Sequence, residues 1–183
     1  MIHKDSVRVL AISGSLRRAS SNGALVGAAQ LASGGVEVSI YRELASLPPF
    51  NPDLEEETAP EAVARFRAAL QACDAVLISS PEYAHGVPGV LKNALDWVVA
   101  SGELIDKPVA LINTSARATH GWESLARTLL VMSARVLLDA SITLPLGGRT
   151  PDAESIAADN AIAVPLRGAI AVLAAEAREA RVA

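Results

Sequence analysis

Apolar and polar positions along this chain switch repeatedly between strand-like runs and helical spacing. Val7 to Ser13 is a continuous apolar run of strand character, and Ser20 or Ser21 to Leu31 reads as a first helix, ended by Gly34-Gly35. Val36 to Tyr41 alternates with one polar face, as a second strand does. Leu47 to Glu57 is proline-rich and then acidic, the composition of a solvated loop. A capping box follows: Thr58 as N-cap, Pro60 in the first turn, Glu61 three residues after the cap. Val63, Phe66 and Leu70 then recur at helical intervals. Asp74 to Ser79 reads as the third strand, Gly89 to Ala100 as a helix, and Pro108 to Asn113 as the fourth strand. Trp122 to Ala134 is read as helix, Val136 to Leu144 as a fifth strand, and the remainder after Pro151 as helix.

Strands one, three and four are short, apolar and without alternation, the mark of central parallel strands covered on both faces. The second alternates and suits an edge. Both conditions are met by an α/β fold of the flavodoxin-like kind: a doubly wound five-stranded parallel sheet, order 2-1-3-4-5, with helices on both faces. This order reverses direction between strands one and three, and open sheets hold ligands at such a switch point. No repeat or linker divides residues 1–183, so one domain is expected, and Gly147-Gly148 is read as a turn.

Composition narrows the function. Hydrophobic residues make up 51% and charged residues 20%, which describes a folded chain with a full core. Two Trp, two Tyr and two Phe leave that core aliphatic and supply few partners for stacking on an aromatic ligand. The net charge of −4 argues against gripping nucleic acid by phosphate neutralisation. No uninterrupted apolar run reaches the roughly 18 residues of a membrane span, and the polar start Met1 to Asp5 does not resemble a signal peptide. Cys73 has no partner for an internal disulfide and reads as a packed thiol, so a cytoplasmic protein is expected.

Two loops carry the candidate chemistry. The stretch after the first strand gathers Ser15, Arg17, Ser20, Ser21 and Asn22 ahead of a helix. Backbone N–H groups at a helix start favour an anion, short hydroxyls add neutral donors, and an arginine adds a charge-assisted one. Neither the three-glycine dinucleotide fingerprint nor a Gly-Lys-Ser/Thr pattern is present. After the third strand, Ser80 to Gly89 turns through two prolines and two glycines, which fix a backbone able to meet the polar edge of a planar ring. Thr114 to Gly121, after the fourth strand, forms a third wall. A phosphate loop and a ring loop flanking one switch point together indicate a mononucleotide. His85 and His120 lack the spacing of a metal pair, and no Gly-x-Ser-x-Gly elbow marks a serine hydrolase.

These residues resemble the NADPH-dependent FMN reductase family of flavin, quinone and chromate reductases. Its first motif is matched by Gly14-Ser15-Leu16-Arg17-Arg18-Ala19-Ser20-Ser21-Asn22. Its second is matched from Pro81 to Trp97, with Ala84 where the family has Asn and Gly86 where it has Ser. The resemblance runs from about Val7 to Leu144. It implies an FMN-dependent oxidoreductase taking electrons from NADPH or NADH and passing them to a small-molecule acceptor. Ser15, Arg17, Ser20, Ser21 and Asn22 would hold the FMN phosphate. Pro81, Glu82 and Tyr83 would line the ring, with Ala84, His85 and Ser115 beside it. No side chain is expected to act as general acid or base, and no nucleic acid, membrane or metal is expected. The family is dimeric or tetrameric, which implies a homodimer or homotetramer with the Leu91–Trp97 helix in the contact. Alternatives are an electron-transfer module without its own NAD(P)H oxidation, and a protein that has kept the fold and lost the flavin.

Overall fold

The computed structural model describes residues 6–57, 59–147 and 151–181. Strands β1 (Arg8–Ser13), β2 (Glu37–Tyr41), β3 (Ala75–Ser79) and β4 (Pro108–Asn113) form the parallel centre of one sheet. Two short strands, β5 (Arg135–Val136) and β6 (Ile142–Thr143), both pair with β4. The order is β2-β1-β3-β4-β5, as the hydrophobic pattern predicts. Every residue of β3 and β4 is buried, whereas β2 exposes Glu37 and Ser39 and buries Val38 between them. Burial on both faces and at an edge thus follows the two sequence patterns directly.

Alternate residues of the central strands feed two separate cores. Val9, Ala11, Ala75, Leu77, Ala110 and Ile112 pack on one face beneath α1 (Ser21–Leu31), α6 (Ala153–Ala158) and α7 (Asn160–Ala180). Leu10, Ile12, Val76, Ile78, Val109 and Leu111 pack on the other beneath α3 (Glu61–Ala72), α4 (Gly89–Asp96) and α5 (Thr119–Val131). Among the described helices α7 alone is long and apolar enough to cross a membrane, with Asn160–Ala180 at a hydropathy of 1.3. Its Leu166, Ile170 and Leu173 are buried against the sheet, which gives that apolarity an occupant.

The structure departs from the sequence pattern in several places, among them the helix read as Gly89 to Ala100, which ends at Asp96 and runs on as turns, and the helix read to Ala134, which ends at Val131. The acidic loop contains a helix, α2 (Pro52–Glu57), started by Pro52 and by Asn51, whose Oδ1 accepts from the Asp53 N–H at 3.1 Å. The single fifth strand is two, because Leu138–Ala140 forms a 3-10 turn between them, so the sheet has six strands rather than five. At the interruption the Ser141 hydroxyl accepts from the Leu111 N–H at 3.0 Å and replaces a missing strand partner. The C-terminal helical region divides at Asp159, whose carboxylate caps α7 through the Ala161 N–H. Finally, α5 begins at Thr119 rather than Trp122, which shortens the loop after β4. The capping box read at Thr58 lies outside the described residues, as does Gly148; α3 starts after Pro60.

Trp97 is fully buried, donating from its indole N–H to the Pro48 carbonyl at 2.8 Å. Phe50 meets its ring edge-on at 5.1 Å. Leu91 and Leu95 are buried beside it. Leu91, Leu95 and Trp97 thus turn one face of this helix into the chain's own core.

Candidate functional site

Chain direction in a parallel sheet collects the loops after β1, β3 and β4 at one end. The first two are clamped together. The Gly14 N–H donates to the Ser79 carbonyl at 2.9 Å. A Cβ at Gly14 would stand 2.5 Å from Ser80 Oγ, 3.0 Å from Ser80 Cβ and 3.1 Å from Leu91 Cδ2. A side chain at Gly14 would force Ser80 and Leu91 to give way, so glycine lets the loops after β1 and β3 sit close together.

Within the phosphate loop the hydroxyls are oriented by the backbone. Ser15 Oγ accepts from the Arg17 N–H at 3.3 Å. Ser20 is the N-cap of α1, its Oγ accepting from the Gly23 N–H at 3.3 Å. A hydroxyl that accepts in this way keeps its own O–H to donate. Both donors thus stand beside the partial positive charge of the α1 start, an arrangement suited to an anion. Asn22 has a different place. It is buried, and its Oδ1 accepts from Ser79 Oγ at 2.8 Å and Thr114 Oγ1 at 3.4 Å, bracing α1 to the ends of β3 and β4.

The ring loop is a tight hairpin. Tyr83 and Gly86 exchange N–H···O bonds of 3.1 and 2.9 Å, with Ala84 (φ 49°) and His85 (φ 60°) between them. Both central residues are left-handed, the geometry of a type I′ turn that Asn and Gly fill most readily. The family's Asn at the position of Ala84 fits that conformation; alanine adopts it at a cost. Tyr83 is 56% exposed.

Glu82 ties this hairpin to the third loop. One oxygen accepts from the Gly121 N–H at 2.7 Å, and the other meets His85 Nδ1 at 3.1 Å. The N-cap residue of α5, Ala118, supplies no side-chain bond, so Glu82 caps that helix from a neighbouring loop. The Gly121 bond, aided by His85, holds the Glu82 carboxyl below the usual glutamate range. A Cβ at Gly121 would lie 3.0–3.1 Å from Glu82 and the Gly86 carbonyl, so glycine allows the close fit here too. His85 and His120 are both exposed, their rings perpendicular at 4.7 Å.

Asn113 organises the remaining wall. It accepts from the Ser115 N–H and donates to the Ala118 carbonyl, each at 3.0 Å. Pattern reading missed Asn113, whose two partners lie within five residues in the turn after β4, and the capping role of Glu82, whose partner lies 39 residues away.

The expected residues share one end of the sheet but divide among separate openings. Ser15, Arg17 and Ser20 line a cleft of about 640 Å³ on the β2 side. Ser21 and Ser115 line another of about 510 Å³, between the α1 start and Pro145–Gly147. Pro81 and Glu82 border Trp122, which is half-buried under the hairpin. His85 faces a groove of about 620 Å³ between α4 and α5, with His120, Lys92 and Arg127.

Residues 7–145 match the family model described as NADPH-dependent FMN reductase. An NAD(P)H-dependent FMN reductase of Pseudomonas aeruginosa is 40% identical over 115 residues, which are 61% of this chain and 62% of that protein. An NADPH:quinone oxidoreductase of Arabidopsis thaliana is 39% identical over 117 residues, 61% of this chain and 59% of its own length. The chain thus spans less than two thirds of the curated relatives it matches. Among solved structures, FerB, a flavoenzyme NAD(P)H:(acceptor) oxidoreductase from Paracoccus denitrificans, superposes with a TM-score of 0.74 at 28% identity. That match covers 94% of this chain and 98% of FerB. With the two loop motifs, the strand order and three quarters of its length in agreement, the chain belongs to the NADPH-dependent FMN reductase family.

Proposed function

We propose that this protein is an FMN-dependent oxidoreductase that passes electrons from NADPH or NADH to a small acceptor such as a flavin or quinone. The observation that carries the reading is the Gly14–Ser80 clamp, which fixes an anion-ready helix start beside a rigid hairpin at the switch point. The donor set fits a phosphate monoester: Ser15 and Ser20 hydroxyls, the Arg17 guanidinium, and the first turn of α1 at Ser21 and Asn22. Pro81, Glu82, Tyr83, Ala84 and His85 would border the ring, largely through backbone groups, with Ser115 on the far wall. When bound, FMN supplies the hydride chemistry, and the protein's part is to orient it and exclude alternatives. Glu82 has a positioning role, locking the hairpin to α5. His85 shapes the opening rather than moving a proton.

The same reading extends to a cytoplasmic homodimer or homotetramer. Val99 and Val131 are exposed, the latter by 84%, along the α4–α5 groove, and Leu130 is exposed on α5 nearby. The Leu91–Trp97 helix would make the contact through its outward side, together with these exposed residues.

The visible spectrum of the purified protein, followed by anaerobic stopped-flow mixing with NADPH, tests the function. Flavin colour that NADPH bleaches within the turnover time supports the reductase. Colour that only a one-electron donor bleaches replaces it with an electron carrier, and failure to take up FMN removes the flavin altogether.

A further inference from the structure

The cleft on the β2 side is larger than a mononucleotide phosphate requires. Its 640 Å³ lies within the range of whole small-molecule sites, roughly 300–1,000 Å³. One wall is the phosphate loop; the others are Ile40 to Arg42 at the end of β2 and Pro151 to Ala153 at the start of α6. The α6 wall is held firmly, since a Cβ on Gly27 of α1 would come within 2.8 Å of Ala153 Cβ.

Three cations converge on this cleft. Arg17, Arg18 and Arg42 all line it and are exposed. Among the described residues none of the three guanidinium groups has a hydrogen bond or ion pair. Arg8, Arg65, Arg135 and Arg181 are each paired with a carboxylate, and Arg117 and Arg127, which have no such pair among the described residues, stand singly at other openings. The acid on the cleft wall, Asp152, is engaged in capping α6 through the Ser155 N–H at 2.8 Å. Tyr41 also lines the cleft, and its hydroxyl is the buried side-chain polar atom without a partner among the described residues.

Position then selects the ligand. The ring loop follows β3, two strand spacings from β2, roughly 10 Å away. A cation at Arg42 is too remote for a small acceptor at the ring, yet within the span of a dinucleotide whose nicotinamide lies there. Arg17 is assigned to the FMN phosphate, which leaves Arg18 and Arg42 for a second anion. Resting on the flavin reading, we propose that this cleft receives the adenosine half of NADPH and that Arg18 and Arg42 hold its 2′-phosphate, making the enzyme selective for NADPH over NADH. A phosphate monoester carries close to two negative charges at neutral pH and matches the planar donor fork of arginine; the 2′-hydroxyl of NADH does neither.

The test uses the FMN-loaded protein, with steady-state kinetics on both nicotinamides and calorimetric titration of 2′,5′-ADP against 5′-AMP. The native protein should favour NADPH in kcat/KM by at least about tenfold, the scale of one charge-assisted contact. Arg42→Ala and Arg18→Ala should each lower that preference about tenfold through KM and weaken 2′,5′-ADP in step, while FMN content holds. Raising the salt concentration should erode the preference as well. Equal use of NADPH and NADH by an FMN-loaded protein that gives no 2′,5′-ADP isotherm overturns the assignment. So does loss of FMN from Arg42→Ala, which would make the whole cleft part of the flavin phosphate site. A protein that takes up no FMN sinks the flavin reading first, and this inference with it.

Discussion

The two ends of the parallel sheet treat charge in opposite ways. At the amino end, Asp74 accepts from the Arg8 N–H at 2.7 Å and pairs with the guanidinium groups of Arg8 and Arg181. Lys107 donates to the carbonyls of Leu70 and Cys73 at 2.9 and 2.7 Å, where α3 ends and its dipole favours a cation. At the carboxyl end, three arginines stand around a cleft without a protein partner among the described residues, and hydroxyls are held with donors to spare. One end completes itself and holds the fold. The other keeps donors that protein groups leave unused, as the proposed flavin site requires.

If that division holds, a mutation at each end should damage a different property. Asp74→Ala removes the acceptor for a backbone N–H and two guanidinium groups from a side chain only 11% exposed. Unfolding in denaturant should show a loss of about 1.5–3 kcal/mol, the scale of hydrogen bonds to a charged group, with FMN affinity unchanged. Arg17→Ala should weaken FMN by about 1.5–3 kcal/mol in a fluorescence titration, leave riboflavin affinity alone, and move stability by no more than about 0.5 kcal/mol. A large stability loss from Arg17→Ala, or equal native affinity for FMN and riboflavin, would break the comparison.

Acid sharpens it further. Burial alone would raise the Asp74 carboxyl, but Arg181 and Arg8 outweigh it and hold the group below the usual aspartate range. Glu82 is held low chiefly by the Gly121 N–H. For both, stabilisation is fully present above the unfolded values, about 3.9 and 4.3, and is lost as pH falls through the lower folded ones. Melting temperature should therefore stay flat in this respect from pH 5 to 8 and fall below about pH 4. Asp74→Asn should flatten the global acid limb. Glu82→Gln should flatten only the part read by hydrogen exchange in the hairpin and the first turn of α5. A Glu82→Gln protein with an unaltered acid response in both segments would remove Glu82 as the cap.

How much of this the sequence disclosed depends on the range of the contacts involved. β1, β3 and β4 are legible because burial on both faces writes itself as an unbroken apolar run. The two ligand loops are legible because glycine, proline and hydroxyl residues cluster there. The helix at Pro52 was legible in principle from Asn51-Pro52-Asp53, a cap and a first turn hidden by the acidic residues that follow. The break at Leu138–Ala140 was not, since Ser141 satisfies Leu111 from thirty residues away. Nor was the trans-cap of α5 by Glu82, or the brace made by Asn22, which its motif position would assign to the phosphate. Local pattern reveals what a residue is; partners brought from distant strands decide what it does.

The smallest expected effect concerns the hairpin between the two ends of that argument. Ala84 sits at φ 49° and His85 at φ 60°, so a two-residue turn is built from residues that carry a Cβ into the left-handed region. Asparagine visits that region several-fold more readily than most residues. Ala84 is exposed, so a larger side chain there meets solvent rather than packing. Ala84→Asn should therefore stabilise the turn, by something under about 1 kcal/mol, a fraction of the roughly 1–2 kcal/mol that the left-handed form costs a residue. On the proposed function the carboxyl end serves binding more than folding, so the gain should be local: slower amide exchange at Gly86 and a modest rise in FMN affinity, with little change in global unfolding. Ala84→Val, β-branched, should shift each readout the other way. If Asn and Val alter exchange at Gly86 alike, the left-handed turn does not persist in solution, and the rigid ring loop on which the flavin reading leans loses its support.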